Sequence, residues 1–251
     1  MDKSFAKYLV FSLALIFVLS FNNRIFAAAV STATSKATTT TPAAVSSAAP
    51  APSSADILFD NLWNRTFHYT TLFESLNGYY VSGDATVDGS QLILATERKS
   101  GSSAEVSKTP NWQGVVTFSQ RGRFRTTIAI SNTDHVLAYF GLGNRTRQGY
   151  GFKIADGNLY GYSNDGKTEK ALLLQPFNGG VYNLEARYKP NSVVVFYVDT
   201  ILKGQITSNL PSAAKTPNRE LLNIYLKTTD DIQKSLQTSY FEYLQMRNSG
   251  K

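Results

Sequence analysis

Three groups of residues in this chain have the type and spacing to do chemistry. Arg121, Arg123 and Arg125 recur at every second position, so on a β-strand all three guanidinium groups face the same way. Such a stripe presents planar, bidentate donors to the sulfates, carboxylates or phosphates of an acidic polymer. The plainer reading is a solvated outer face. Trp112, Tyr139, Tyr160 and Tyr162 form the second group. Sugar rings carry apolar C–H faces that stack on exposed aromatic rings while their hydroxyls find polar partners. Tyr160 and Tyr162 share a strand face, and the alternative for each ring is padding in a core. The third group is acidic: Asp84, Asp88, Asp230 and Asp231 sit among turn-forming residues. Loop carboxylates and carbonyls suit Ca2+, but aspartate also serves turn geometry directly. No cofactor is implied, and Ca2+ is the one ion these residues leave room for.

Other chemistries find no support. His68 and His135 have no motif around them, and an isolated histidine is more often a packing or surface residue than a base or ligand. No Gly-x-Ser-x-Gly elbow is present. The chain has no cysteine, which excludes disulfides, thiolate metal sites and a cysteine nucleophile, and leaves stability to an apolar core.

The elements that would position these residues read as β-strands. Tyr182, Leu184, Ala186 and Tyr188 alternate with Asn183, Glu185, Arg187 and Lys189, a period of two that buries one set and exposes the other. Lys189 to Ser192 then turns the chain. Val193 to Val198 is an apolar, β-branched and aromatic run, predicted as a central strand covered on both sides. Asp199 and Thr200 reverse it again into Ile201 to Thr207.

The same pattern extends in both directions. Tyr79 to Val81, Ala85 to Val87 and Gln91 to Thr96 read as short strands, with Asp88 and Gly89 as a hairpin turn. Arg98 to Asn111 reads as a polar loop. Gly114 to Phe118, Gly122 to Ser131, Val136 to Leu142, Tyr150 to Ala155, Asn158 to Ser163, Lys170 to Leu174, Leu221 to Thr228 and Tyr240 to Arg247 follow as strands. A polar connection before the last could hold a helical turn. About a dozen short strands at intervals of roughly 8 to 12 residues predict an all-β sandwich or barrel. The βαβ alternation of a nucleotide-binding fold is missing.

The amino-terminal residues carry other signals. Lys3 and Lys7 precede an apolar run from Tyr8 to Phe21, shorter than the roughly 20 residues a membrane span needs. With small residues Ala27, Ala28 and Ala29 beyond it, residues 1–29 read as a secretory signal peptide. An uncleaved signal anchor is the alternative and the only membrane contact implied. The net charge is +7, and removing Lys3, Lys7, Arg24 and Asp2 with that segment leaves +5. Residues 30–55 are almost wholly Ala, Ser, Thr and Pro, a composition that predicts an extended linker or stalk. The folded domain is expected over residues 56–251; Ile57 to Leu62 fits a short capped helix or, from Ile57 to Phe59, an edge strand. Asn64-Arg65-Thr66 and Asn144-Arg145-Thr146 are glycosylation sequons in a eukaryotic source.

Three segments carry a family resemblance: GYGFKIADGNLYGYS from Gly149 to Ser163, YNLEARYKPNSVVVFYVDTILKGQITSNLP from Tyr182 to Pro211, and SYFEYLQMR from Ser239 to Arg247. Together they resemble the concanavalin A-like lectin/glucanase superfamily, which includes laminin G-like domains, legume-type lectins and family 16 glycoside hydrolases. The resemblance implies an all-β, concanavalin A-like jelly-roll β-sandwich of two antiparallel sheets. Thr200 stands where that superfamily's hairpin usually has glycine, so the turn is not expected to be type I′.

Retaining glycosidases need two carboxylates about 5 to 5.5 Å apart, and the family 16 enzymes take them from one strand in a Glu-x-Asp-x-Glu type of motif. Here Glu74, Glu97, Glu105, Glu169, Glu185, Glu220 and Glu242 each lack an Asp two positions on. The expectation is therefore a non-catalytic, secreted or cell-surface carbohydrate-binding or adhesion module. Its partner would be a polysaccharide or glycoconjugate, acidic if the arginines bind it. The alternative is a structural or protein-binding module contacting a surface protein, and behind it a glycosidase with carboxylates from separate strands. Nucleic acid is not an expected partner, because an exported chain does not meet it.

Overall fold

The computed structural model describes residues 65–108, 118–212 and 222–246. Among them are fifteen strands and no helix. The larger sheet runs β13 (Ile201–Ile206), β12 (Val193–Val198), β11 (Gly180–Lys189), β6 (Arg121–Ile130), β15 (Ser235–Met246), β4 (Gln91–Ala95) and β3 (Asp84–Asp88), with β1 (Arg65–Thr71) as an eighth strand on β15. The smaller runs β10 (Glu169–Pro176), β9 (Asn158–Asp165), β8 (Gln148–Ala155), β7 (Val136–Gly143), β14 (Leu222–Thr228), β5 (Ser103–Lys108) and β2 (Tyr80–Ser82). Every pairing is antiparallel, and the two sheets form the predicted jelly-roll β-sandwich.

Alternation along the strands builds the core. Phe124, Ile128 and Ile130 of β6, Leu184, Ala186 and Tyr188 of β11, and Val194, Phe196 and Val198 of β12 are buried on one side. Facing them are Ala138, Phe140 and Leu142 of β7, Tyr150, Phe152 and Ile154 of β8, and Leu222, Ile224 and Leu226 of β14. Rings join the layers: Phe124 meets Phe152 edge-on at 5.8 Å, Phe152 meets Phe196 at 5.5 Å, and Tyr150 stacks on Tyr188 at 5.1 Å. Each such pair adds about 0.5 to 1.5 kcal/mol beyond the area it buries. Gly161 of β9 packs its backbone against this cluster. A Cβ there would come within 2.5 Å of the Phe196 ring, so only glycine fits.

A bulge in β15 sets which of its residues face inward. The register against β6 slips between Thr238 and Tyr240, so the buried positions change from Leu236 and Thr238 to Phe241 and Tyr243. An extra residue in one strand does this because the side-chain period is two. The Thr126 hydroxyl lies 2.8 Å from the Tyr240 carbonyl oxygen and holds the bulge from the neighbouring strand.

Several expectations change. The stretch Arg98 to Asn111 is not all loop: Ser103–Lys108 is β5, whose Ala104 and Val106 reach the core between polar residues. β12 is covered on one face rather than two, its burial alternating along the strand. β15 begins at Ser235, and residues 229–234 form bends without a helical turn. The β3–β4 turn is centred on Gly89 and Ser90, one residue later than expected, since Asp88 pairs with Gln91. Asp199 and Thr200 both have positive φ, 49° and 69°, the type I′ signature that Thr200 argued against. Asp199 offsets part of the strain: its carboxylate accepts the Asn183 backbone N–H at 2.9 Å, and its own N–H donates to the Asn183 carbonyl at 2.8 Å. The signal segment, the linker, residues 57–62, Trp112 and the strand expected from Gly114 lie outside the described residues.

Candidate functional site

Each sheet has an outer face, and the two differ in what they carry. On the larger sheet, Arg121, Arg123 and Arg125 project outward from β6 as their parity requires. Their neighbours in register are Glu185 and Arg187 of β11 and Glu242 and Leu244 of β15. Glu185 takes both Arg125 and Arg187, Arg123 lies 3.8 Å from Glu242, and His68 reaches the same Glu242 at 3.1 Å. Arg187 also stacks on Tyr197 at 4.5 Å. Arg123 is buried, and Arg121 and Arg125 are half-buried. The stripe is one side of a charge network among neighbouring strands, not an open row of cations.

The outer face of the smaller sheet is built differently. Pairing aligns Glu105 of β5, Tyr225 of β14, Tyr139 of β7, Lys153 of β8, Tyr160 of β9 and Leu173 of β10 in one row across the sheet. The adjacent row is Tyr80, Ser107, Asn223, Gly141, Gly151, Tyr162 and Ala171. Glycines Gly141 and Gly151 leave a trough in the middle, and the Tyr162 ring fills part of it. A Cβ on Gly141 would stand 2.5 Å from the Tyr162 hydroxyl.

Hydrogen bonds fix this face. Glu169 accepts from the Tyr139 hydroxyl at 3.1 Å and from Lys153 Nζ at 2.8 Å. Glu105 accepts from Asn223 Nδ2 at 2.6 Å and from Arg145 Nη1 at 2.9 Å. Arg145 belongs to the tight turn between β7 and β8, where Asn144 accepts from the Thr146 N–H and hydroxyl and Asn164 anchors the Arg145 carbonyl. Its guanidinium lies 3.7 Å above the Tyr225 ring centroid. Tyr139 meets Tyr162 edge-on at 5.2 Å and Tyr225 at 6.4 Å.

Burial tunes the ionisable groups here. It pushes the Tyr139 phenol above its usual range against the opposing Lys153, with Glu169 adding to the rise. Tyr162 is raised further by burial, with Tyr139 and Glu169 in the same direction and Arg145 opposed. For Lys153, burial disfavours the ammonium, but the bonds to Glu169 and Tyr139 outweigh it and the pKa rises. At neutral pH the face therefore holds neutral Tyr139 and Tyr162 phenols beside a charged Lys153.

Among the sequence-derived candidates, the structure brings Tyr139, Tyr160 and Tyr162 together and places Arg121, Arg123 and Arg125 on the opposite side of the sandwich. Tyr162 has no exposed surface and Tyr139 only 8%, so Tyr160 is the one of the three whose ring is half-open to solvent. Tyr80, 64% exposed, is on the same face. Sequence reasoning missed Tyr225, Asn223, Glu105, Arg145, Glu169 and Lys153. The available signal was parity: Asn223 and Tyr225 occupy the positions of β14 between its buried Leu222, Ile224 and Leu226.

Asp84 and Asp88 bound β3, Asp230 binds the Thr228 hydroxyl and Lys234, and Asp231 accepts the Ser100 N–H. Among the described residues no cluster of three or more acidic or histidine side chains is poised for a metal. The segment GYSNDGKT, Gly161 to Thr168, has the spacing of a phosphate-binding loop. Here it is the end of β9 and its turn into β10, and no helix follows to aim backbone N–H groups at an anion.

No family model and no curated protein matches the chain. Among solved structures it is similar to an uncharacterised protein from Mycobacterium paratuberculosis, at 13% identity and a TM-score of 0.53 over 70% of this chain and 99% of that one. It is also similar to the botulinum neurotoxin serotype C1 binding domain, at 8% identity and a TM-score of 0.51 over 66% and 43% of the two chains. The binding domain of botulinum neurotoxin DC in complex with rat synaptotagmin II gives 11%, 0.50, 66% and 42%. The match covers less than half the length of the neurotoxin domains. At these identities the likeness is one of fold.

Proposed function

We propose that this chain is a non-catalytic carbohydrate-binding module of the concanavalin A-like, laminin G-like kind, and that it binds through the outer face of its smaller sheet. The observation that carries the reading is the grouping of Tyr225, Tyr160 and Tyr80 with Glu105, Asn223, Glu169 and Lys153 on one face. Tyr160 and Tyr80 supply stacking surface for the C–H faces of a sugar, Tyr225 adds a ring that Arg145 now covers, and oriented carboxylate, amide and ammonium groups supply partners for its hydroxyls. The opposite face is less suited, because Glu185 and Glu242 already pair with Arg123, Arg125 and Arg187. The secretory signal and stalk read from residues 1–55 support a secreted or cell-surface setting. No cofactor is part of this reading. Glu105, Glu169, Glu185 and Glu242 lie on four separate strands and each is engaged in an ion pair, which supports a binding rather than hydrolytic role.

A polysaccharide and glycan array with the full chain tests the reading, at moderate salt, with and without a calcium chelator. Selective binding that survives salt and falls at least tenfold in Tyr160→Ala and Tyr225→Ala is the expected result. Silence across the array would sink it. Binding only to acidic polymers, lost with salt and with Arg125→Ala, would move the site to the larger sheet.

A further inference from the structure

Tyr225 lies among the polar groups of the smaller sheet's outer face, yet one side of its ring is already occupied. The Arg145 guanidinium carbon sits over the ring, 3.7 Å from its centroid, at van der Waals contact. No second planar group can stack there while it stays. The occupant is held by that contact and by one ion pair to Glu105, in which the two side chains remain 20% and 21% exposed.

Two residues before Tyr225 on β14 is Asn223, and across from it the Tyr162 hydroxyl lies over Gly141; Asn223 Oδ1 and that hydroxyl are buried with no hydrogen-bond partner. Asn223 is 1% exposed and Tyr162 0%. The orientation of the Asn223 amide is not arbitrary, since Glu105 accepts from its Nδ2 at 2.6 Å and would repel the oxygen. Oδ1 is thus left as an acceptor, and the Tyr162 hydroxyl, above Gly141, as a donor and acceptor. Buried groups of this kind are normally satisfied. An acceptor and a hydroxyl beside a stackable ring match the alternating hydroxyls and apolar face of a pyranose. Glu105 and Glu169 offset Arg145 and Lys153, so of the charges on this face only Lys227, two residues beyond Tyr225, is left to attract a polyanion.

We propose that Arg145 is a built-in occupant of a sugar subsite, and that the natural ligand is an uncharged pyranose which displaces it from Tyr225 and takes Asn223 Oδ1 and the Tyr162 hydroxyl. This rests on reading the face as carbohydrate-binding. Lifting Arg145 leaves Glu105 bound to Asn223, so the floor of the subsite persists and its Glu105 end turns negative, which rejects acidic sugars.

The consequence runs against the usual effect of removing a polar residue from a binding face. Wild type, Arg145→Ala, Arg145→Gln and Tyr225→Ala full chains would be titrated with neutral β-glucan and α-mannan oligosaccharides and with polygalacturonate, their unfolding midpoints serving as a fold control. Arg145→Ala and Arg145→Gln should bind a neutral oligosaccharide about three- to tenfold more tightly than wild type, the scale of one exposed cation–π contact and ion pair. Tyr225→Ala should lose at least tenfold, and no variant should gain for polygalacturonate. Equal or weaker binding by both Arg145 variants, with Tyr225→Ala still defective, overturns the occupant while leaving the face as the site. Preference for polygalacturonate overturns the uncharged ligand. Absence of all binding in every protein overturns both readings together.

Discussion

Thr126 and Thr238, 112 residues apart in the chain, place their hydroxyl oxygens 3.0 Å from each other in the interior of the larger sheet. Both also reach the Tyr240 carbonyl, Thr126 at 2.8 Å and Thr238 at 3.3 Å. Together they satisfy the backbone that the β15 bulge takes out of the ladder. Thr126→Val keeps the shape and removes the shorter bond. It should destabilise the fold by about 1 to 3 kcal/mol, the cost of leaving buried polar groups short of a partner. Urea unfolding of Thr126→Val, Thr238→Val and the double variant checks this, and non-additivity in that cycle would report the coupling.

Thr200 should be improvable. A β-branched residue at φ 69° is strained, and glycine adopts that conformation freely. Thr200→Gly should stabilise the protein by about 1 kcal/mol after the added entropy of the unfolded chain is discounted. The expected signature is a higher denaturant midpoint with an unchanged slope.

Asp230 gives the loop between β14 and β15 an acid limit. Its bond from the Thr228 hydroxyl, helped by Lys234 and the Ile232 N–H, holds the carboxyl down at about 2. A carboxyl whose folded pKa lies below its unfolded value contributes stability above the unfolded value, near 3.9. That contribution is lost as pH falls from about 4 through about 2. Asp230→Asn should therefore be less stable than wild type at pH 6, with the difference closing toward pH 2. Denaturant unfolding at several pH values checks both sign and window.

At the alkaline end the tyrosines take over. Burial raises Tyr69, Tyr139, Tyr150, Tyr162, Tyr188 and Tyr243 above their usual range, and Tyr240 up to about 12. Groups raised in the folded state favour folding below the unfolded value of about 10 and cease to do so as pH climbs past it. Ultraviolet titration of the native protein should show these seven phenols ionising late, in step with unfolding. All fourteen tyrosines titrating near pH 10 with the fold intact would contradict the burial.

Much of the fold was legible because alternation is a strong signal wherever one face is buried. β6 and β14 matched their expected ends to within a residue for that reason, and β11 ended at the expected Lys189 while starting two residues early, at Gly180. β5 was obscured because Ser103, Glu105, Ser107 and Lys108 outnumber its two buried aliphatic residues. The type I′ turn at Thr200 was hidden because local preference argued against it and the strands on either side override that preference. The candidate site was harder to read than the fold. Tyr160 and Tyr162 shared a legible face, but Arg145 comes from a turn and Glu105 from a strand that looked like loop. Only the order of strands across the sheet puts them beside Tyr225. The arginine stripe was legible as geometry, while the pairing of Arg123 with Glu242 and Arg125 with Glu185 depended on which strands flank β6.

β15 lies inside the larger sheet, bonded to β6 along one edge and to β4 and then β1 along the other. Its partners are made far earlier in the chain, so during vectorial synthesis they wait on the ribosome without their central neighbour. A gap that wide cannot be bridged by β6 alone, and the exposed edges of β4, β1 and β6 are sticky until residue 246 has emerged. Closure of the larger sheet therefore waits on β15, and until that strand pairs, the edges of β6, β4 and β1 have no partner in the place it fills.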